Sequence, residues 1–248
     1  MKDLEIIILA AGKGTRMNSD KPKVLTEIND RPMLSYLLDT LKKIRKEPLL
    51  VLGYKADEVK KIFGKNHRYV LQEQQLGTGH AVHEAISDVS PLSKYVMVLY
   101  GDQPLINEQT IEKLYESHKK QKRSPVTLGT VVVDDFCDWR KNFFDFGRII
   151  RNDKNKIEKI IEKKDATTSE LEIKELNPSY FCFNFKWLIK NITKIGKKNV
   201  QGEYYLTDII GIAKNQGFEL NSIIIPAHEA LGVNSIEQLE HIKKFIKK

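Results

Sequence analysis

Residues 4–9 (LEIIIL) form a short, branched, almost wholly apolar run that breaks at once into Ala10-Ala11-Gly12-Lys13-Gly14-Thr15-Arg16-Met17. A run of that length and branching suits a strand buried on both faces, the condition of parallel strands covered by helices. The break itself is restrictive. Small residues let the backbone approach a ligand closely, and Gly12 and Gly14 can take positive φ, so that successive N–H groups turn inward as an anion nest. Lys13, Arg16 and, further on, Lys23 add full positive charges beside those amides. A strand, a glycine turn and three cations read as a site for a polyphosphate.

Two other glycine motifs are excluded. A P-loop requires Ser or Thr after Gly-Lys, and Lys13 is followed by Gly14. The dinucleotide fingerprint requires a third glycine where this chain has Met17.

Strand and helix patterns alternate through the first half. Met33, Leu34, Leu37, Leu38, Leu41 and Ile44 recur at helical period behind Pro32, which suits a first turn. Pro48–Leu52, Tyr69–Leu71 and Tyr95–Tyr100 read as strands, with helices over Ala56–Phe63 and Glu108–Gln121. That order predicts an α/β fold, Rossmann-like, with a mixed, mainly parallel central sheet. The second half is richer in strand patterns: Val126–Val133, Gly147–Arg151, Ile157–Glu162, Asn177–Phe185 and Leu220–Ile225. Helices are expected near Trp187 and over Leu206–Asn215. With no Gly/Ser/Pro-rich linker between the halves, residues 1–235 are expected to form one domain with a smaller β-rich lobe. Residues 236–248 are expected to form a basic amphipathic C-terminal helix.

The 248 residues carry a formal net charge of +8, which raises the question of nucleic acid. The lysines alternate with glutamates along predicted helices and few aromatics lie among them, so a solvated surface that attracts acidic substrates is the reading taken. No apolar run approaches the ~20 residues of a membrane helix. Cys137 and Cys182 are far apart and lack metal-ligand spacing, so two reduced thiols in a cytoplasmic protein are expected. His80 and His83 stand at i, i+3 with no third ligand in suitable spacing, and read as a helix-start residue and a solvated side chain.

A second informative stretch is Leu71-Gln-Glu-Gln-Gln-Leu-Gly-Thr-Gly-His80, between a strand and a helix that opens near His80. Gly77 and Gly79 again allow close backbone approach. The side-chain amides of Gln72 and Gln75 offer a donor and an acceptor side by side, which can pair with a pyrimidine edge. The amide can rotate, so this chemistry does not choose between uracil and cytosine. Asp102, at the end of the strand Tyr95–Tyr100, is a hard carboxylate of the kind Mg²⁺ prefers opposite a triphosphate.

The loop Gly12-Lys-Gly-Thr-Arg16 followed by Pro22-Lys23 resembles the sugar-phosphate nucleotidyltransferase family. The stretch QEQQLGTGHA is similar to the uracil-reading segment of the N-acetylglucosamine-1-phosphate uridylyltransferases, the uridylyltransferase half of a bifunctional enzyme. The resemblance continues through Tyr100-Gly-Asp-Gln-Pro-Leu105, Gly147-Arg-Ile149, Glu162–Ala166, Gln201-Gly-Glu-Tyr-Tyr-Leu-Thr-Asp208 and Gly232-Val-Asn234. It implies UTP and a sugar 1-phosphate as substrates, with neither nucleic acid nor membrane as partner. Arg16 and Lys23 are then the catalytic cations. Leu9, Ala10, Ala11, Gly12, Lys13, Gly14, Thr15, Gln72, Gln75, Gly77 and Thr78 are the nucleotide contacts. Tyr100, Gly147, Glu162, Asn177, Glu203 and Tyr205 face the sugar, and Asp102 with Asn234 holds Mg²⁺.

Two stretches depart from the family pattern. Asn177-Pro178-Ser179 stands where Asn-Thr-Gly or Asn-Ser-Gly is usual, and Asp134–Phe146 is a few residues longer before Gly147. Pro178 removes an N–H and restricts Asn177, while Ser179 adds bulk. Both border the expected sugar site, so a different sugar 1-phosphate or nucleotide is the near alternative and a non-catalytic nucleotide-binding module the remoter one. No hexapeptide repeat is present, so neither the acetyltransferase β-helix nor the trimer built on it is expected.

Overall fold

The computed structural model describes residues 1–14, 17 and 20–246. Leu4–Ala10 is strand β1, buried along its whole length. The reason is visible in the two cores it separates. Leu4, Ile6, Ile8 and Ala10 face one apolar cluster, and Ile7 and Leu9 face the other.

The chain next makes a small hairpin, β2 (Glu27–Ile28) with β3 (Arg31–Pro32), and helix α1 (Met33–Lys43). Pro32 lies just outside α1, in the extended conformation its ring permits, rather than within the first turn. The predicted stripe holds: Leu34, Leu37 and Leu41 are buried against the first core. Then come β4 (Leu49–Leu52), α2 (Ala56–Phe63), β5 (Arg68–Leu71), α3 (Thr78–Ala85), β6 (Tyr95–Tyr100), α4 (Glu108–Lys120) and β7 (Val126–Val132). The second half adds β8 (Gly147–Arg151), β9 (Ile157–Ile161), α5 (Thr168–Leu171), β10 (Glu175–Asn177), β11 (Phe181–Asn184) and α6 (Phe185–Asn191). Its last elements are α7 (Ile209–Asn215), β12 (Asn221–Ile224) and α8 (Ile236–Lys243).

One mixed sheet runs β5-β4-β1-β6-β11-β7-β10-β8-β9, with β12 paired to β7. Strands β5, β4, β1 and β6 are parallel, in register Ile7 opposite Leu49 and Val98. Helices α1 and α4 cover one face, and α3, α6 and α7 the other. The carboxyl ends of β1, β5 and β6 therefore open on one side, where ligands bind in sheets of this kind.

Two expectations need correction. Asn177–Phe185 is two strands rather than one: β10 pairs with β7 and β8, and β11 with β6 and β7. Pro178 has no N–H for a ladder, and Ser179 sits at φ +67, so the chain turns between them. The C-terminal helix is also shorter than expected and ends at Lys243. It is tied into the fold by buried Ile242 and Gln238. Among the described residues no helix is long and apolar enough to cross a membrane, and both cysteines are free thiols, Cys182 buried and Cys137 exposed.

Candidate active site

At the carboxyl end of β1, Leu9, Ala10, Ala11 and Gly12 line a cavity of about 250 Å³. Gln72, Gln75, Gly77 and Thr78 from the end of β5 and the start of α3 line it too, as do Tyr100, Asp102 and Lys23. The two stretches singled out from the sequence thus meet in one place. Gly14 takes the positive φ its turn requires (+70), and a Cβ there would lie 2.8 Å from Lys23 Cβ. Loop and lysine are packed on each other. Lys13 is elsewhere: its ammonium lies 5.2 Å from the centre of the Tyr54 ring and does not line the cavity. Thr15 and Arg16 lie outside the described residues.

Gln72 is 3% exposed. Its Nε2 donates to Gly77 O at 3.1 Å and stands 3.0 Å from His80 Nδ1. Only an amide NH₂ can face a carbonyl, so the orientation is fixed. His80 Nδ1 is then the acceptor, and its Nε2 stands 3.3 Å from Glu84 Oε1. Gln75 Nε2 donates to Gln72 O at 3.1 Å. Gln72 spends both of its N–H donors inside the protein and Gln75 one of its two, which leaves both oxygens to offer. His80, read from sequence as a helix-start residue, orients Gln72 from the first turn of α3, and its ring stacks on Tyr204. Its i, i+4 spacing to Glu84 was the one signal for this.

Gly77 and Gly79 also have a close backbone neighbour. A Cβ on Gly77, at φ +115, would lie 2.6 Å from Tyr204 O. Tyr204 N donates to Leu76 O (2.8 Å) and Gly79 N to Tyr204 O (2.7 Å), which fastens the 201–208 segment onto this loop. Glu203 consequently lines the first cavity rather than the second.

A second cavity, of about 150 Å³, is lined by Gly147, Glu162, Asn177, Pro178 and Ser179. It shares Tyr100 and Asp102 with the first. Burial raises the Glu162 carboxyl above its usual range, against a hydrogen bond from Thr207 Oγ1 at 3.0 Å. Burial likewise raises the Tyr100 phenol, with Glu162 and Asp102 adding to the rise. Asn177 closes its own turn: its Oδ1 accepts from Ser179 N (3.0 Å) and its Nδ2 donates to Ser179 Oγ (3.2 Å). Pro178 O accepts from Gln103 Nε2 at 2.9 Å, a contact the sequence did not signal. Tyr205 lines neither cavity, and its hydroxyl is buried without a hydrogen-bond partner.

Where the cavities meet, the Lys23 ammonium donates to Asp102 Oδ2 and, at 2.7 Å, to Asn234 Oδ1. Asn234 reaches this point because Val233 N donates to Asp102 O (3.0 Å) and Gln238 of α8 accepts from Asn234 N (2.6 Å). A carboxylate and an amide oxygen turned onto one cation are hard donors that fit Mg²⁺, which keeps several waters and needs few protein ligands. No group of three or more His, Cys, Asp or Glu suited to a metal occurs among the described residues.

Residues 6–134 match the MobA-like NTP transferase domain family. The Bifunctional protein GlmU of Clostridium acetobutylicum is 41% identical over 244 residues, covering 98% of this chain and 52% of that protein. The protein of the same name in Bacillus licheniformis is 39% identical over 243 residues, 97% and 52% of the two chains. The chain thus spans about half the length of the curated relatives it matches. HddC from Yersinia pseudotuberculosis superposes with a TM-score of 0.70 at 20% identity, over 98% of this chain and 99% of that one. For 4-diphosphocytidyl-2C-methyl-D-erythritol synthase from Anaerococcus prevotii the TM-score is 0.67 at 15% identity, over 99% and 98%. These two establish the fold.

Proposed function

The chain belongs to the MobA-like NTP transferase domain family, and from that premise we propose that it transfers a uridylyl group from UTP to N-acetylglucosamine 1-phosphate. The products are UDP-N-acetylglucosamine and pyrophosphate. One observation carries the reading: two cavities share Tyr100 and Asp102, and the Lys23–Asp102–Asn234 cluster stands where they meet. A nucleotide in the first and a sugar phosphate in the second would bring both phosphates to that cluster. The 41% identity to a GlmU protein supports the choice of substrates.

A sugar 1-phosphate is already an anionic nucleophile near pH 7, so no general base is obligatory. Its oxygen attacks the α-phosphorus of UTP in line, and pyrophosphate leaves with the electron pair of the broken P–O bond. The protein has to align the two phosphates and neutralise their charge. Lys23, Arg16 and the amides of residues 10–14 do this. Asp102 and Asn234 would hold a Mg²⁺ ion, which supplies further charge neutralisation on the triphosphate. Gln72, with both N–H donors committed, and Gln75, with one committed, present oxygens that suit a base edge bearing N–H, as the imide of uracil does. In the second cavity, Glu162 and Asn177 take the sugar hydroxyls.

The test is pyrophosphate release across four nucleoside triphosphates and several sugar 1-phosphates, with Mg²⁺ and with EDTA. Metal-dependent release with UTP and N-acetylglucosamine 1-phosphate is the expected result. Release with another sugar alone would assign the difference to the Asn177–Ser179 turn. Absence of release with every pair would overturn the proposal.

A further inference from the structure

We propose that the Lys23 ammonium and the divalent cation compete for one position. The free protein then holds Asp102 and Asn234 closed on Lys23, and metal binds well only when a triphosphate is present to take the displaced ammonium. This rests on the reading of Asp102 and Asn234 as the metal ligands, and adds that the lysine must vacate them.

Lys23 spends two of its three N–H donors on the two oxygens that would ligate the metal. Its side chain is 13% exposed and that of Asp102 20%, so the pair is largely shielded from water. A metal ion bound to the same two oxygens would bring a second positive charge within about 4 Å of the ammonium, where repulsion in a shielded site is strong. Both cannot stay.

Only the side chain is free to leave. Lys23 opens a single 3₁₀ turn, Lys23–Leu25, whose Val24 and Leu25 are buried, and its stem packs against Gly14. From that anchor the ammonium can swing into the cavity it already lines together with Ala11 and Gly12. A triphosphate there offers new acceptors for the released donors. Metal entry and the turn of Lys23 onto phosphate become one exchange, and neither cation is left unpaired. A charge-assisted contact of this kind lowers the competing affinity by roughly ten- to a hundredfold.

The test is Mn²⁺ binding without nucleotide, read from the electron paramagnetic resonance signal of free Mn²⁺. It is applied to wild type, Lys23→Met, which keeps the stem and removes the charge, and Asp102→Asn. Lys23→Met is expected to bind Mn²⁺ at least tenfold more tightly than wild type, and Asp102→Asn to lose the site. A second measurement needs no variant: mass-spectrometric acylation rates of individual lysines, with and without saturating Mg²⁺. Mg²⁺ should raise the rate at Lys23 several-fold and leave the other lysines unchanged. A Lys23→Met affinity no better than wild type, or an unchanged Lys23 rate, overturns the proposal. These readouts are independent of turnover. If they hold while no substrate pair releases pyrophosphate, the exchange stands and the substrate assignment falls.

Discussion

Gly77→Ala is expected to loosen the whole nucleotide end of the cleft. Gly77 sits at φ +115 and ψ 175, a region that essentially only glycine occupies. Holding an alanine there costs about 1–3 kcal/mol in backbone strain. The added methyl would also stand 2.6 Å from Tyr204 O and 2.8 Å from Tyr204 N. Tyr204 must then retreat, and its backbone hydrogen bonds with Leu76 O and Gly79 N are the ones that hold the segment down. Two such bonds contribute about 1 kcal/mol each. The total is roughly 3–5 kcal/mol. Urea unfolding followed by tryptophan fluorescence measures this, with the wild-type and variant midpoints compared at unchanged slope. The loss should be accompanied by weaker UTP binding, because Gln72 is oriented by Gly77 O and by His80, which stacks on the Tyr204 ring. A variant within about 0.5 kcal/mol of wild type, the range of ordinary surface substitutions, would refute the argument that this glycine is required by backbone contact.

Asp102→Asn should lower turnover on the order of a hundredfold or more with little change in melting temperature, since it removes charge at the point where both cavities meet; near wild-type turnover would contradict its role. His118 is buried in contact with Thr127 Oγ1, and desolvation holds its pKa down at about 4. The unfolded chain takes up that proton near pH 6.5 and the folded chain does not, so stability falls as pH drops through the interval between the two values. Between about pH 7.5 and 5 this contributes a loss of about 2 kcal/mol, and His118→Gln should flatten the urea midpoints over that range relative to wild type. Arg148 is fully buried and donates to the carbonyls of Leu171, Phe144 and Phe146. Arg148→Met should cost about 3 kcal/mol or more by leaving those acceptors unpaired, measured by the same unfolding assay. His80→Leu should raise the KM for UTP several-fold with a smaller effect on kcat, because it removes one of the two partners that hold the Gln72 amide; an unchanged KM would show that His80 does not orient that amide.

The parallel half was legible in the sequence because burial on both faces leaves an unmistakable mark. LEIIIL and YVMVLY have no polar face to spare, and each ends at a residue of the cleft. The glycine loop was equally plain, since Gly14 is needed for its turn. What could not be read were pairings across long sequence separations. Asn177–Phe185 has one continuous strand pattern, yet its two halves join different neighbours, and only Pro178 hinted at the break. Gly77 lines the first cavity, but its contact and that of Gly79 with the Tyr204 backbone, far along the chain, gave no sign in the sequence. Gln103 gave no signal because its contact is a carbonyl, that of Pro178, which any residue could have offered. Lys13 looked equivalent to Lys23 among the cations, but its ammonium lies beside Tyr54 and it does not line the cavity. The meeting of Lys23, Asp102 and Asn234 combines residues 79 and 211 positions apart. Spacing arguments do not reach that far, and only the resemblance to a family linked them beforehand.

The central claim is that a sugar phosphate attacks the α-phosphorus of UTP where the two cavities meet. The most direct measurement tracks radioactive phosphorus from UTP labelled at either the α or the γ position, with N-acetylglucosamine 1-phosphate and Mg²⁺. The α label is expected in the nucleotide sugar and the γ label in pyrophosphate. Transfer of the γ label to the sugar phosphate, or retention of both labels in UTP, would contradict the claim.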